Sequence, residues 1–173
     1  PFVFPDGLEV RNAGGGDGQD FGSRVNAIYA MEKSINTAFV DMSSAIPQGP
    51  AKIQKLAMKL GVPPMESDQR SPGIPTTSRD FTSDDTLITL GRARVSPINM
   101  ANAYASIANG GRRAEVHVIE KVQLADGSTD YEFDEPTERA MDEDIAADVS
   151  FSLQETVSNG SGATVLPLGR PAA

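Results

Sequence analysis

The chain has no cysteine, no tryptophan and a single histidine in 173 residues. Without cysteine there can be no disulfide, no thiol nucleophile and no thiolate metal site. With His117 alone, a Ser-His-Asp triad has one possible base. That histidine falls in an alternating segment, on the opposite parity to its apolar neighbours, where a surface role is expected. Metal sites need converging histidines, cysteines or carboxylates. Only carboxylates are plentiful, and they lack the spacing of a calcium loop. No metal and no cofactor is therefore expected. Two acids could converge for glycosidase chemistry, but nothing in the spacing selects a pair.

Long apolar runs are missing as well. None approaches the roughly 20 residues needed to cross a bilayer, and no secretory leader opens the chain. An exported or anchored parent would carry its anchor outside these residues. Basic residues are outnumbered, 15 Lys and Arg against 24 Asp and Glu, for a net charge of −9. Such a surface repels phosphate backbones and excludes a polybasic membrane binder, so no nucleic-acid partner is expected. Much of the acid is local, at Asp130, Glu132, Asp134, Glu135, Glu138, Asp142, Glu143, Asp144 and Asp148, and reads as a solvated face. Aromatics make up 6% of the chain, which leaves the core to Ala, Ile, Leu, Val and Met. The composition is that of a folded chain, one domain or a large piece of one.

Residues 1–22 read as an irregular lead-in with at most a short edge strand. Its glycine cluster, "NAGGGDGQD", lacks the Lys-Ser/Thr that follows in a phosphate loop, and reads as a flexible turn. A helix is expected from Ser23 to about Lys33, with Val25, Ile28 and Glu32 on one face. A second follows Asn36, with Phe39, Met42 and Ile46 recurring at helical spacing and Asn36 as its N-cap. "PAKIQKLAMKLG" is the clearest helix: Pro50 suits its first turn, Gly61 its end, and Ile53, Leu56, Ala57 and Leu60 form one stripe. Residues 62–86 form a long loop rich in Pro, Ser, Thr and Asp. Ser96 and Pro97 then open a helix that Gly110-Gly111 close. Ala101, Ala105 and Ala108 give it a small face, and Met100, Tyr104 and Ile107 suit a neighbouring groove.

The period then changes to two. Val116, Val118, Val122 and Leu124 alternate, Asp126-Gly127 signals a hairpin turn, and "TDYEF" is the return strand with Tyr131 and Phe133 on one side. Asp142 begins a last helix with acid in its first turn, Ile145, Val149, Leu153 and Val157 continue it, and Asn159-Gly160 stop it.

One short stretch, Lys33-Ser34-Ile35-Asn36, allows two readings. It can be a helix break with Asn36 as a cap. It can also be chemistry: acyl transfer from a serine without histidine needs a second hydroxyl held beside a lysine ammonium to move protons. A nearby amide can then grip a substrate carbonyl.

Context bears on that choice. "YAMEKSINTAFVDM" followed by "IQKLAMKLGV" resembles the middle of penicillin-binding proteins, the serine D,D-transpeptidases that cross-link bacterial peptidoglycan. "LGRARVSPINMANAYASIANGG" is similar to another signature of that family, falling here on Gly91, Val95, Ser96, Pro97, Ala101, Ala103, Tyr104, Ala108, Asn109, Gly110 and Gly111. "VSFSLQETVSNGSGATV" is similar to the helix before the family's third motif. The resemblance spans roughly residues 24–171, and Thr37-Ala38-Phe39-Val40 sits closer to the bifunctional class A enzymes than to class B.

Three active-site motifs belong to the family. Ser34 and Asn36 match the second, Ser-x-Asn. The first, Ser-x-x-Lys, and the third, Lys-Thr/Ser-Gly, do not occur in the sequence. The resemblance therefore implies an α+β fold, mostly the helical part of a β-lactamase/transpeptidase-like domain, with a β-hairpin near 115–133. Residues 1–173 are expected to be part of one domain: lead-in 1–22, helical core 23–111, hairpin 115–133, helix 142–159, and 160–173 leading toward the absent third motif. It implies Ser34 as a proton relay, Asn36 as a ligand for the acyl side chain, stem peptides and β-lactams as partners of the complete domain, no cofactor, and a place on the extracytoplasmic face of a bacterial membrane. By itself the chain is expected to be inactive, and to need the remainder of the domain or self-association to cover its apolar faces. The other readings are a non-catalytic binding module of the same fold, and a β-lactamase or D,D-carboxypeptidase relative.

Overall fold

The structure, a computed structural model, describes residues 1–70, 73–134 and 136–173. Glu135, counted above in the acidic segment, lies outside the described residues, as do Ser71 and Pro72 of the long loop. In chain order the elements are β1 (Phe2–Val3), β2 (Glu9–Val10), α1 (Ala27–Glu32), α2 (Asn36–Ala45), α3 (Gly49–Leu60), a 3-10 turn (Ile88–Leu90), α4 (Pro97–Ala108), β3 (Arg112–Ala114), β4 (Lys121–Gln123), β5 (Thr129–Glu132), β6 (Thr137–Arg139), α5 (Glu143–Asn159) and a closing 3-10 segment (Ala163–Leu168). Among the described residues the strands form three separate antiparallel pairs, β1 with β2, β3 with β6 and β4 with β5. This is the mixed, mainly helical architecture that the pattern implies.

Caps explain most helix boundaries. Ser96 accepts a hydrogen bond from the Asn99 amide and Pro97 occupies the first position of α4, a position where its missing N–H costs nothing. Gly61 ends α3 at φ +120°, and Asp142 precedes α5, whose first turn holds Glu143 and Asp144. The first helix begins later than Ser23, at Ala27, because the Asn26 side chain accepts from the Tyr29 amide at 2.8 Å and sets the start there.

The core is a wedge between α3, α4 and α5. Leu60, Val62, Phe81, Ile88, Ala103, Ala140, Met141 and Ala146 are buried in it, with Ile53, Ala57 and Ile107 packed against them. Ser106 is buried on the same face, and its single hydroxyl proton is shared between the carbonyls of Leu60 (3.0 Å) and Asn102 (2.9 Å). That bond takes up a carbonyl at the end of α3 that has no partner within its own helix. The long 62–86 loop is not only a rim: Phe81 is buried, its carbonyl accepts from Gln54, and Arg79 pairs with Arg94 through both backbone bonds.

Several helix faces differ from the periodic expectation. In α2 the buried residues are Val40 and Ser43, whereas Met42 and Ile46 are exposed. In α5 Ala146 is the buried contact and Ile145 is exposed. In α4 the packed face is Asn99, Ala103 and Ser106, while Met100 and Tyr104 face outward with Ala101, Ala105 and Ala108. Hydrophobic periodicity finds apolar positions, but it does not say which of two apolar faces a neighbour covers. The chain exposes 11534 Å², against roughly 8,100 Å² for an ordinary folded monomer of its mass. Apolar faces without a neighbour account for part of that excess.

The hairpin is shorter than the alternation suggests. Residues 115–120 are not strand, and the ladder runs from Lys121↔Glu132 through Val122↔Tyr131 to Gln123↔Thr129. His117 is exposed and stacks on Phe133 with ring centroids 3.8 Å apart.

Candidate active site

The turn that carries Ser34 is a helix ending of a specific kind. The Ser34 amide donates to the Met31 carbonyl (3.1 Å) and the Ile35 amide to that of Ala30 (2.9 Å). These are the two bonds of a Schellman motif, which needs a left-handed residue directly after the cap. That residue is Ser34, at φ +54°. Glycine is the usual occupant, since a side chain there costs on the order of 1–2 kcal/mol. Ile35 and Ala30, which the motif brings into contact, are both fully buried. The buried Ile35 thus holds the turn, while Ser34 is presented on the surface. Among the described residues its hydroxyl has no hydrogen-bond partner.

Asn36 is the first residue of α2, not its cap. Ile35 occupies the cap position and makes no side-chain bond. The acceptor comes instead from the lead-in: Asn12 Oδ1 receives the Thr37 amide (3.0 Å) and the Thr37 hydroxyl (3.1 Å). Asn36, half-buried, turns its Nδ2 to the Arg11 carbonyl at 3.0 Å. A helix end takes any well-placed acceptor, and a tertiary contact outcompetes the local one here.

On the far side the turn leans on the end of α5. Lys33 Nζ donates to the Asn159 carbonyl at 2.8 Å, lies 5.7 Å from the Tyr29 ring centroid, and is 4.0 Å from the Glu32 carboxylate. A cation at a helix C-terminus is favourable. It also means that the Lys33 ammonium is engaged by α5. The Glu32 carbonyl accepts from the Ser161 amide at 3.0 Å, and a Cβ on Gly160 would run into that same carbonyl. Glycine at 160 is required by this close approach, besides ending the helix.

The electrostatics of the lead-in are local. Arg11 bonds Glu9 and Asp17, each at 2.8 Å. The hydrogen bond from the Arg11 guanidinium holds the Glu9 carboxyl below its ordinary range, and the Glu9 carboxylate in turn raises Arg11. All of these groups are solvated, so the pairs direct the loop more than they stabilise it. Beside α1 and α2 an open groove of about 710 Å³ is lined by Phe21, Ala27, Ala30, Ile35, Ala38 and Met42, with Asp17, Asp20 and Asp41 at its polar edges. Ser34 and Asn36 do not line it. Among the described residues no cluster of histidines and acids could hold a metal.

The two residues expected from the sequence therefore lie two positions apart, Ser34 on the turn that ends α1 and Asn36 at the first position of α2. Sequence reasoning missed Asn12 and Arg11, about 25 residues before the turn, and read Gly160, about 125 after it, only as a helix stop and not as a contact of the turn. A long-range cap leaves no local spacing by which to find it.

Residues 5–168 match the family model described as the penicillin binding protein transpeptidase domain. The chain belongs to the penicillin-binding protein transpeptidase domain family. It is 30% identical over 139 residues to penicillin-binding protein 1B of Escherichia coli, and 26% identical over 173 residues to penicillin-binding protein 1A of Mycolicibacterium smegmatis. These matches cover 80% and 97% of this chain but only 14% and 21% of the relatives. Both relatives are on the class A side of the family, as the Thr37–Val40 run implied. Among solved structures, the penicillin-binding protein PonA1 of Mycobacterium tuberculosis superposes with a TM-score of 0.63 at 22% identity, over 78% of this chain and 36% of that one. A peptidoglycan synthetase of Bifidobacterium adolescentis superposes with a TM-score of 0.63 at 18% identity, over 87% and 30%. Both likenesses are of fold.

Proposed function

We propose that this chain supplies the second of three active-site motifs of a serine D,D-transpeptidase, which joins peptidoglycan stem peptides through an acyl-serine intermediate and is acylated by β-lactams. The observation that carries the reading is the coincidence of the family match over residues 5–168 with a strained, braced turn that presents Ser34 and holds the Asn36 amide. The nucleophilic serine and the motif that binds the substrate carboxylate then come from outside these 173 residues, since the sequence contains neither Ser-x-x-Lys nor Lys-Thr/Ser-Gly. Residues 1–173 form part of one domain, with 160–173 leading toward the third motif. The protein acts on the extracytoplasmic face of a bacterial membrane.

Position supports each role. Ser34 carries an exposed, uncommitted hydroxyl that can pass a proton between the nucleophilic serine and the leaving nitrogen. Lys33 is taken up by α5, so we assign the ammonium that assists the hydroxyl to the lysine of the Ser-x-x-Lys motif, which these residues lack. Asn36 spends one N–H on Arg11 and keeps its second N–H and its carbonyl for the acyl side chain of substrate or penicillin. No cofactor enters. The outward apolar face of α4 is covered by the remainder of the domain.

The test is acylation by fluorescent penicillin, read as heat-stable label on a denaturing gel. The full-length protein should label. Ser34→Ala should slow labelling by about 10²–10⁴-fold, and Asn36→Ala by about 10–10²-fold. The isolated 173-residue chain should stay unlabelled and should self-associate in sedimentation velocity. Label on the isolated chain would overturn the placement of the nucleophile, and an unlabelled full-length protein would overturn the activity.

A further inference from the structure

We propose that Asn12 is a positioning residue for the acyl-side-chain site, acting on substrate through the amide of Asn36. The proposal rests on the function given above for Asn36. Residues 11 and 12 meet residues 36 and 37 as a two-by-two clasp: Asn36 Nδ2 donates to the Arg11 carbonyl (3.0 Å), while Asn12 Oδ1 receives the amide (3.0 Å) and the hydroxyl (3.1 Å) of Thr37. The other polar atom of the Asn12 side chain is also used, since its Nδ2 donates to the Gln19 carbonyl at 3.1 Å. The glycine-rich loop is thereby closed on itself, with the Gln19 amide bonded to the Ala13 carbonyl at 3.0 Å. Gly18 permits the closure: at φ +83°, a Cβ there would sit 2.5 Å from the Asn12 carbonyl oxygen. What looks in sequence like a flexible turn is a brace.

The clasp has a chemical consequence for Asn36. A free carboxamide can flip, exchanging donor and acceptor. With one N–H committed to a carbonyl, the Asn36 amide has one orientation, with its oxygen and second N–H at defined places. The Arg11 carbonyl stays in position only while the next residue is anchored, and Asn12 is that anchor. It binds the first turn of α2, the same element that carries Asn36. A substrate amide gripped by Asn36 feels a shift of this kind directly, because small misplacements of a positioning group carry large rate penalties.

The experiment compares two penicillins on the full-length protein. One, such as benzylpenicillin, has an acyl side-chain amide for Asn36 to hold. The other, 6-aminopenicillanic acid, has none. Asn12→Ala should lower the second-order acylation rate for benzylpenicillin by about tenfold or more, and that for 6-aminopenicillanic acid by less than about threefold. Asn12→Asp keeps both acceptor bonds to Thr37 but sets a carboxylate oxygen against the Gln19 carbonyl, so it should recover part of the benzylpenicillin rate and be at least about threefold faster than the alanine variant. Should Asn12→Ala fail to fold, Thr37→Val removes one bond of the clasp, and its rate loss should fall on the same compound. Equal losses for both penicillins, a parental rate in Asn12→Ala, or an Asn12→Asp as slow as the alanine variant would each overturn the positioning role. A parent protein that neither compound acylates would overturn the functional reading itself, and this proposal with it; a labelled parent with a flat response overturns this proposal alone.

Discussion

The α1–α2 turn and the β4–β5 hairpin are both short, polar connections, and they are held in opposite ways. The turn is fixed by groups distant in sequence: Asn12 and Arg11 on one side, Asn159, Gly160 and Ser161 on the other, with Ile35 buried beneath. The hairpin is fixed by itself. Its contacts are the Lys121–Glu132 pair, the His117–Phe133 stack and the Asp126–Ser128 turn, all exposed or nearly so, and Val118 is 71% accessible. A strained residue persists only where its surroundings over-determine it. Ser34 sits in such a place, and nothing in the hairpin does.

Substitutions can test how far the two regions differ. The largest effect is expected beneath the turn. Ile35→Ala should cost about 2–5 kcal/mol in chemical denaturation of the full-length protein, by lost burial and a cavity. In the hairpin, Val122→Ala should cost less than about 1 kcal/mol. Similar losses at both positions would erase the distinction. Next is Gly160→Ala, which pushes a methyl against the Glu32 carbonyl; a loss of about 1–3 kcal/mol is expected, together with slower acylation by penicillin. A neutral outcome would mean that α5 does not brace the turn.

Ser34→Gly sharpens the contrast because its two readouts should move apart. Relief of the left-handed serine should raise stability by about 0.5–1 kcal/mol, while acylation slows as it does in Ser34→Ala. Stability bought at the cost of activity is what a strained functional residue predicts. If the glycine variant is no more stable than the parent, the turn stores no strain.

The smallest effects lie in the hairpin. Val118→Ser should change stability by no more than about 0.5 kcal/mol. The Asp126 carboxyl is held below its ordinary range by the Ser128 hydroxyl and amide. A depressed carboxyl contributes order that is present above its unfolded pKa and lost as the pH falls through its folded one. The Ser128 amide signal should therefore shift on acidification from about pH 6 to about pH 2, with little movement at Ile35. Asp126→Asn should abolish that titration.

The helices with their own punctuation were readable. Ser96-Pro97, Gly61, Asp142 with its acidic first turn, and Gly110-Gly111 each mark an end through chemistry within a few residues, and α3, α4 and α5 fall where those signals place them. The Asp126-Gly127 hairpin was readable for the same reason. Ser34 and Asn36 stood out only with their neighbouring blocks, since Ser-x-Asn alone is too short to be informative. What could not be read was anything settled across a gap. Arg112–Ala114 pairs with Thr137–Arg139 over some two dozen residues, Phe81 enters the core from a polar loop, and Asn12 caps a helix that begins at residue 36. The outward face of α4 shows the same limit, because its apolar residues satisfy the period as well as the buried ones do.

The sequence by itself determined the helical segments, the hairpin turn, the absence of thiol chemistry, and the pair of residues on which the chemistry is proposed to rest. These follow from local propensity and from which functional groups the chain contains. The tertiary structure alone decided which helix face is buried, that the cap of α2 is Asn12 rather than Asn36, that Lys33 is spent on α5, and that Ser34 occupies the left-handed position of a Schellman motif. Each of these is a choice among partners of nearly equal local merit. Such choices are made by whichever distant group packs closely enough to displace water.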